Sequence, residues 1–300
     1  MSDTFDEIAM LVRLSAPSAM IQLCNMLQWV YTSSYVGRNF GKSYLAGFSL
    51  ANIIGNLFGQ SIILGVLSAV ETLAPQAFGS KRYKEVGLIC LRGGIICFIF
   101  LLPFVPVWYN VDSILITLNQ PETATIAAYH FLSIYVFGFP ALIYNATVQR
   151  FYQAQNVATP LLVLSCVSLI LHPLLVQICV DAYGYDGAPV AHVLSLYVAA
   201  FLTTGLLACT KNHHSETLPS DIHFSSLTWV SFKPVFRLAV PGVFSMSEWW
   251  FWELVCFFAG EFGVVELASH SIAYSLIPLC FMIPSKFIAF NFKNIKINIK

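Results

Sequence analysis

Charge is what this sequence has least of. Asp, Glu, Lys and Arg make up 10% of its 300 residues, against about 25% in a soluble domain. That deficit excludes an ordinary water-facing surface, and the chain reads as an integral membrane protein. Its charges balance to a net of zero, so the basic surface that nucleic-acid binding needs is missing. No CxxC pair occurs. All eight cysteines (Cys24, Cys90, Cys97, Cys166, Cys179, Cys209, Cys256 and Cys280) fall in apolar runs and read as reduced packing residues, not disulfides or metal ligands. There is no Gly-rich phosphate loop, no usable Ser/His/Asp spacing and no paired-Asp motif of membrane transferases. An enzyme finds no support, and no cofactor or metal is expected. "MSDTFDE" at the start is acidic and no small-residue cleavage site follows, so no secretory leader is expected.

What is abundant is apolar sequence, 57% of the chain. A hydrocarbon core of about 30 Å needs about 20 apolar residues per helix. Eight runs qualify: 9–36, 44–72, 86–109, 124–147, 158–180, 187–209, 235–260 and 267–290. Only helices satisfy their own backbone in lipid, so the expected class is all-α. Turn residues separate the runs, as in "GSKRYK", "NQPET" and "DAYGYDG". With the N-terminus in the cytosol, thirteen Lys and Arg fall on the cytosolic side, and only Arg38 and Lys42 on the other. This positive-inside bias orients the chain with both termini cytosolic.

An internal repeat is visible. "VRLSAP" (Val12–Pro17) matches "FRLAVP" (Phe236–Pro241), and "LAGFSLA" (Leu45–Ala51) matches "LASHSIA" (Leu267–Ala273). Six spans separate the copies, so both enter the membrane from the same side. That is the pattern of parallel repeats in secondary transporters, whose sites lie near mid-membrane. The expected organisation is a six-helix bundle over 1–210, a cytosolic connecting loop over 211–233, two helices of a second bundle over 234–290, and an atypical basic tail over 291–300. A seven-helix receptor fits poorly with an even span count and a repeat.

The sharpest candidates are two acids in "FSMSEWWFWELVCFF" (Phe244–Phe258). A carboxylate in lipid costs several kcal/mol unless paired or protonated, and intramembrane acids default to function. A helix over 235–260 would be roughly 39 Å long with Glu248 near its middle. Glu248 and Glu253 would stand about 140° apart. Glu248 would share a stripe with Trp252, and Glu253 with Trp249 and Trp250, whose faces can hold a cation. Glu71, before Pro75, is expected to pair with Arg82 or Lys81 in a structural role, and Gln76 follows in the same helix end. Asn56 can bind, gate or serve as helix glue. His172 and His270 read as packed, hydrogen-bonded helix residues, and His213 and His214 as solvated. Pro17, Pro140, Pro173 and Pro241 are expected to kink their helices.

Five blocks in order resemble the multidrug and toxic compound extrusion (MATE) transporters. They are "SAVETLAPQAFGSKRY" (Ser68–Tyr83), "QRFYQAQNVATP" (Gln149–Pro160), "GYDGAPVAHVLS" (Gly184–Ser195), "EWWFWEL" (Glu248–Leu254) and "ASHSIAYSLIPLCFMIP" (Ala268–Pro284). The resemblance implies twelve helices in two bundles, of which eight stand here. It also implies export of organic cations or other amphipathic compounds against H⁺ or Na⁺, through a multi-pass protein of the plasma membrane. Glu248, Glu253 and Asn56 match positions implicated in coupling and cation binding in eukaryotic members. Many bacterial members carry an Asp where Thr32 stands, so coupling through a carboxylate there is not available. After Ser285 the text departs from the family pattern into "KFIAFNFKNIKINIK". Lacking partners for the second bundle, this chain alone is expected to be unstable or inactive in transport. The alternative to an exporter is a membrane protein that binds or regulates without transporting.

Overall fold

In a computed structural model, the structure describes residues 2–209, 213–218, 228–263, 270 and 273. Side chains are described for these except 2–15, 247–249, 252–253, 256–257 and 260. The described residues are helical, with short connections. Twelve α-helices follow in order: α1 Ser2–Phe40, α2 Lys42–Gly55, α3 Ser61–Gly79, α4 Tyr83–Leu101, α5 Val105–Tyr109, α6 Val111–Thr117, α7 Glu122–Tyr135, α8 Phe139–Ala154, α9 Thr159–Tyr183, α10 Gly187–Cys209, α11 Trp229–Ser245 and α12 Ser247–Phe262.

The first six expected spans are present, and their interruptions have local causes. A π turn over Asn56–Gln60 joins α2 to α3, with the Ser61 amide donating to the Asn56 carbonyl five residues back. Leu102–Phe104 is a 3₁₀ turn at Pro103, and a second one at Val136–Gly138 precedes Pro140. Proline removes an amide donor and clashes with the preceding turn, so these two 3₁₀ breaks sit where the α ladder cannot continue. Pro17 and Pro173 stay inside α1 and α9.

The outer faces carry apolar side chains that no soluble fold would display. Ile170 is 70% exposed and Phe201 79% exposed, with Val163, Leu174 and Ile178 in the same state. They are fit for acyl chains rather than water. The interior is the reverse. Trp29, Phe48, Phe131 and Tyr135 form one aromatic core with ring centroids 5.1 to 6.1 Å apart. Trp108 is buried and stacks on Phe139 at 4.4 Å.

Two expectations for the second half change. The helix expected over 235–260 is divided: α11 ends at Ser245, Met246 is a turn, and α12 starts at Ser247. Pro241 has no amide to close a bond in the last turn of α11, which weakens the ladder just before the division. Glu248 therefore lies in the first turn of α12, not midway along one helix. The connecting loop is also shorter than 211–233, because α11 begins at Trp229, capped at Thr228, whose carbonyl accepts from the Ser231 and Phe232 amides at 2.9 and 3.2 Å. The span expected over 267–290 lies outside the described residues apart from His270 and Ala273.

Candidate functional site

α11 is packed against α3, through Val235, Ala239 and Gly242 on one face. At the crossing two glycines meet. A Cβ on Gly65 would sit 2.5 Å from the Val243 Cα, and one on Gly242 would collide with the Gly65 carbonyl oxygen. The first helix after the connecting loop is thus held backbone to backbone on the second span. Pro241, next to this contact, is exposed, so it shapes the helix without packing into the crossing.

Past the Met246 turn, α12 carries Glu248 at its second position and Glu253 at its seventh. The side chains of Glu248, Glu253, Trp249 and Trp252 lie outside the described residues. Trp250 is half-buried, and its Nε1 is buried without a partner among the described residues.

Asn56 is half-buried at the first position of the π turn. Such turns insert one residue and re-aim the side chains after them, and they recur at functional sites. Among the described residues its side chain makes no hydrogen bond.

Glu71 does not pair with Lys81 or Arg82. Those residues lie ten and eleven positions on, past the end of α3 at Gly79, and Arg82 Nε donates instead to Ser80 Oγ at 3.1 Å. The partner is Arg150 on α8, with Nε 3.2 Å from Glu71 Oε1. The N–H does not point at the oxygen, so this is a Coulombic contact, not a directed hydrogen bond. Arg150 is 10% exposed and Glu71 51% exposed. Gln76 is exposed; its carbonyl accepts from Ser80 N and Oγ at 3.0 and 2.9 Å and ends α3.

The connecting loop is docked, not merely solvated. His214 stacks on Tyr83 with centroids 3.9 Å apart and donates its amide to Gln155 Oε1 at 2.9 Å. His213 lies against Phe151, and burial lowers its pKa below the ordinary 6.5. An undocked loop then binds more protons than a docked one, so docking is at full strength above pH 6.5 and weakens as pH falls below it. The expected result is a smaller hydrogen-exchange protection factor for the His214 amide at pH 5.5 than at pH 7.5. Equal protection would mean that His213 does not hold the loop.

A buried polar cluster lies between α1, α9 and α10. His172 is fully buried. Its Nε2 is 2.9 Å from Thr32 Oγ1 and its Nδ1 2.8 Å from Ser195 Oγ. Thr32 Oγ1 also lies 3.1 Å from the Gln28 carbonyl, and Ser195 Oγ 2.8 Å from the Ala191 carbonyl, both within donating distance. His192 is buried, stacks on Trp29 at 4.2 Å and stands 4.6 Å from His172. Its Nε2 has no partner among the described residues. The expectation of a packed, hydrogen-bonded His172 holds. The sequence reading gave His192 and Ser195 no role. Antiparallel spacing in the hairpin pairs them with His172, which lies seven residues before Cys179, while Ser195 lies eight after Gly187, and Cys179 and Gly187 meet at the turn.

Comparison with known proteins decides what this helical array is. The MatE family model matches residues 17–178. The chain belongs to the MATE family. Its MATE match begins at Pro17 in α1, ends at Ile178 in α9 and includes Thr32, Asn56, Glu71, Arg150 and His172. The chain is 31% identical over 286 residues to multidrug and toxin extrusion protein 2 of Oryctolagus cuniculus, covering 93% of this chain and 46% of that protein. It is 27% identical to multidrug and toxin extrusion protein 1 of Homo sapiens, covering 94% of this chain and 49% of that one. It therefore spans about half the length of these relatives. The fold resembles the crystal structure of the eukaryotic MATE transporter AtDTX14, with TM-score 0.87 at 23% identity, over 95% of this chain and 64% of that one. Like its MATE relatives, the protein is a multi-pass integral membrane protein.

Proposed function

We propose that the chain supplies the first bundle and the bundle-to-bundle contact of a secondary antiporter. That antiporter exports organic cations and related xenobiotics in exchange for H⁺ or Na⁺, and it has no enzymatic role. The observation that carries this reading is the Gly65–Gly242 crossing. It docks the helix leading to Glu248 and Glu253 directly on the second span of the six-helix bundle. Alternating access moves one bundle against another around a midplane site, and a crossing of two bare backbones is a surface on which one helix can pivot. The two units are the bundle over 1–210 and the segment over 234–290. Glu248 and Glu253 are the groups we assign to ion coupling and cation binding, with Trp249 and Trp250 offering ring faces to the cation. The relatives' name, multidrug and toxin extrusion, supports the substrate class. The positive-inside bias supports cytosolic termini, and we place the protein in the plasma membrane.

The test is uptake of a fluorescent organic cation by vesicles carrying a full-length relative, under an imposed pH gradient or an imposed Na⁺ gradient. Flux that follows one gradient is expected there, with at least a tenfold loss when Glu248→Gln is introduced at the matching position. Unchanged coupling in that variant removes Glu248 from the mechanism. Saturable cation binding by that relative with no flux under either gradient overturns the transporter reading and leaves a binding protein.

A further inference from the structure

We propose that the groove between α8 and α10, on the outer face of the bundle, is a sterol site. Tyr144 and Thr204 hold the sterol hydroxyl there, and Ala141, Ala200 and Phe201 bed its fused rings. The site goes beyond the transport reading and does not depend on it.

The groove has a volume of about 360 Å³. Pro140, Ala141 and Tyr144 of α8 form one wall, and Tyr197, Ala200, Phe201 and Thr204 of α10 form the other. α11 packs on α3 and α4 and lines no part of it. The walls are fixed to each other. Asn145 Nδ2 donates to the Leu196 carbonyl at 2.9 Å, and Tyr197 Oη donates to the Phe137 carbonyl at 3.0 Å. Phe201 and Tyr197 are exposed, one helical turn apart, with the small side chains of Ala141 and Ala200 as a shallow floor. The spans Glu122–Ala154 and Gly187–Cys209 have their midpoints at Gly138 and Val198. With those midpoints at the bilayer centre, Tyr197 lies at the centre. Tyr144 and Thr204 each stand six residues beyond it, about 9 Å by helical rise. The hydrocarbon extends about 15 Å from the centre, so the hydroxyl pair stands within it, toward the headgroups. The groove is polar at the headgroup end and apolar at the midplane. A sterol lying in one leaflet has the same polarity.

The hydrogens at the polar end decide what it accepts. Tyr144 Oη and Thr204 Oγ1 are 2.7 Å apart, and Thr204 Oγ1 is 2.7 Å from the Ala200 carbonyl. With the Thr204 hydrogen on that carbonyl, the Tyr144 hydrogen goes to Thr204, and the pair turns only lone pairs outward. With the Thr204 hydrogen on Tyr144, the Tyr144 hydrogen is free to point outward. A ligand hydroxyl serves both arrangements, because one oxygen donates and accepts. The ester and phosphate oxygens of a glycerophospholipid only accept, and serve one. The apolar end selects as well. In lipid no hydrophobic gain separates one apolar ligand from another, so close packing decides. A rigid fused ring gives up less conformational freedom on a fixed surface than a flexible acyl chain does. The bonded walls and the paired rings of Tyr197 and Phe201 are such a surface.

The experiment is photolabelling of the whole chain in phosphatidylcholine nanodiscs. The probe is a cholesterol analogue carrying a diazirine in its ring system, and the labelled positions are mapped on peptides. The expected result is saturable label on α8 and α10 at the groove, displaced by unlabelled cholesterol. Cholesterol methyl ether keeps the rings but cannot donate, and should displace the label about tenfold less well, the worth of one hydrogen bond in lipid. Tyr144→Phe should remove most of the advantage of cholesterol over its methyl ether. Ala200→Phe fills the floor and should abolish the label in the groove. Should either variant fail to fold, cholesterol against its methyl ether on the unaltered chain decides alone. Equal displacement by the two overturns the proposal. So does label spread evenly over the outer faces, Ile170 and Ile178 of α9 included, or label that survives in a folded Ala200→Phe. Cross-linking of two copies through α10, with label lost as protein is crowded into the bilayer, gives the groove to a second chain and also overturns it. Vesicle flux, present or absent, bears on the transport reading alone.

Discussion

Gly65→Leu should release α11 from α3 and lower the stability of the protein by about 3 kcal/mol, at the upper end for overpacking. The magnitude follows from what stands opposite. The first atom of any side chain at Gly65 meets the Val243 Cα and backbone nitrogen, at 2.5 and 2.8 Å. Backbone cannot turn aside as a flexible side chain can, so the helices must separate. They then lose the contacts of Val235 and Ala239, both buried here. In lipid, close approach of small residues is itself the main attraction between helices, because acyl chains compete equally for apolar side chains. Thermal unfolding followed by a thiol probe would measure the loss. Gly94→Ala serves as a control: a Cβ there meets the Thr147 hydroxyl at 3.3 Å, the side of a residue that can rotate away. Equal melting of Gly65→Leu and wild type would mean that the crossing does not hold the halves together.

That crossing could not be read in the sequence, though much else could. The number and order of the first six spans followed from apolar length and loop charge, because lipid imposes a length on every helix. The 3₁₀ turns ahead of α5 and α8 fell at prolines for a reason local to the chain. The π turn at Asn56 left no proline as a sign, and Gly55 and Gly59 beside it read as ordinary helix glycines. The division at Met246 was equally silent: "VFSMSEWW" reads as continuous helix, and only the absent amide of Pro241 hints at weakness upstream. Gly65 and Gly242 look like ordinary helix glycines until the second span and the helix after the loop are brought face to face. The partner of Glu71 was misjudged because cations close in sequence were weighed ahead of those close in space. Arg150 lies 79 positions away along the chain but beside Glu71 once α3 and α8 pack together. His172 was legible as a packed histidine. Its site was not, because three helices contribute to it and α10 supplies two of the residues.

The Glu71–Arg150 contact yields an asymmetric prediction. Arg150 is the buried member, with a guanidinium 10% exposed, and Glu71 stands half in water. Arginine cannot shed its charge, so removing its counterion leaves a desolvated cation that keeps, among the described residues, the Ala146 carbonyl 3.3 Å from Nη1. Breaking a fully buried pair from one side costs about 3–5 kcal/mol. Water reaching Glu71 already screens this one, so Glu71→Gln should cost about 2 kcal/mol. Arg150→Met removes the need for a counterion and places an apolar chain of similar length in the same slot. The carboxylate left behind is free to turn into water, so the cost should stay under about 1 kcal/mol. In the double variant Glu71→Gln/Arg150→Met, the loss caused by Glu71→Gln should largely disappear. A double-mutant cycle in detergent, read by thermal unfolding, measures all three. If Arg150→Met proves the more damaging single change, Arg150 holds the C-terminal end of α8 by packing and hydrogen bonding, and the charge on Glu71 is incidental to it. If Glu71→Gln is the worse and the double variant recovers, the carboxylate is there to keep a buried cation in place where α3 and α8 meet.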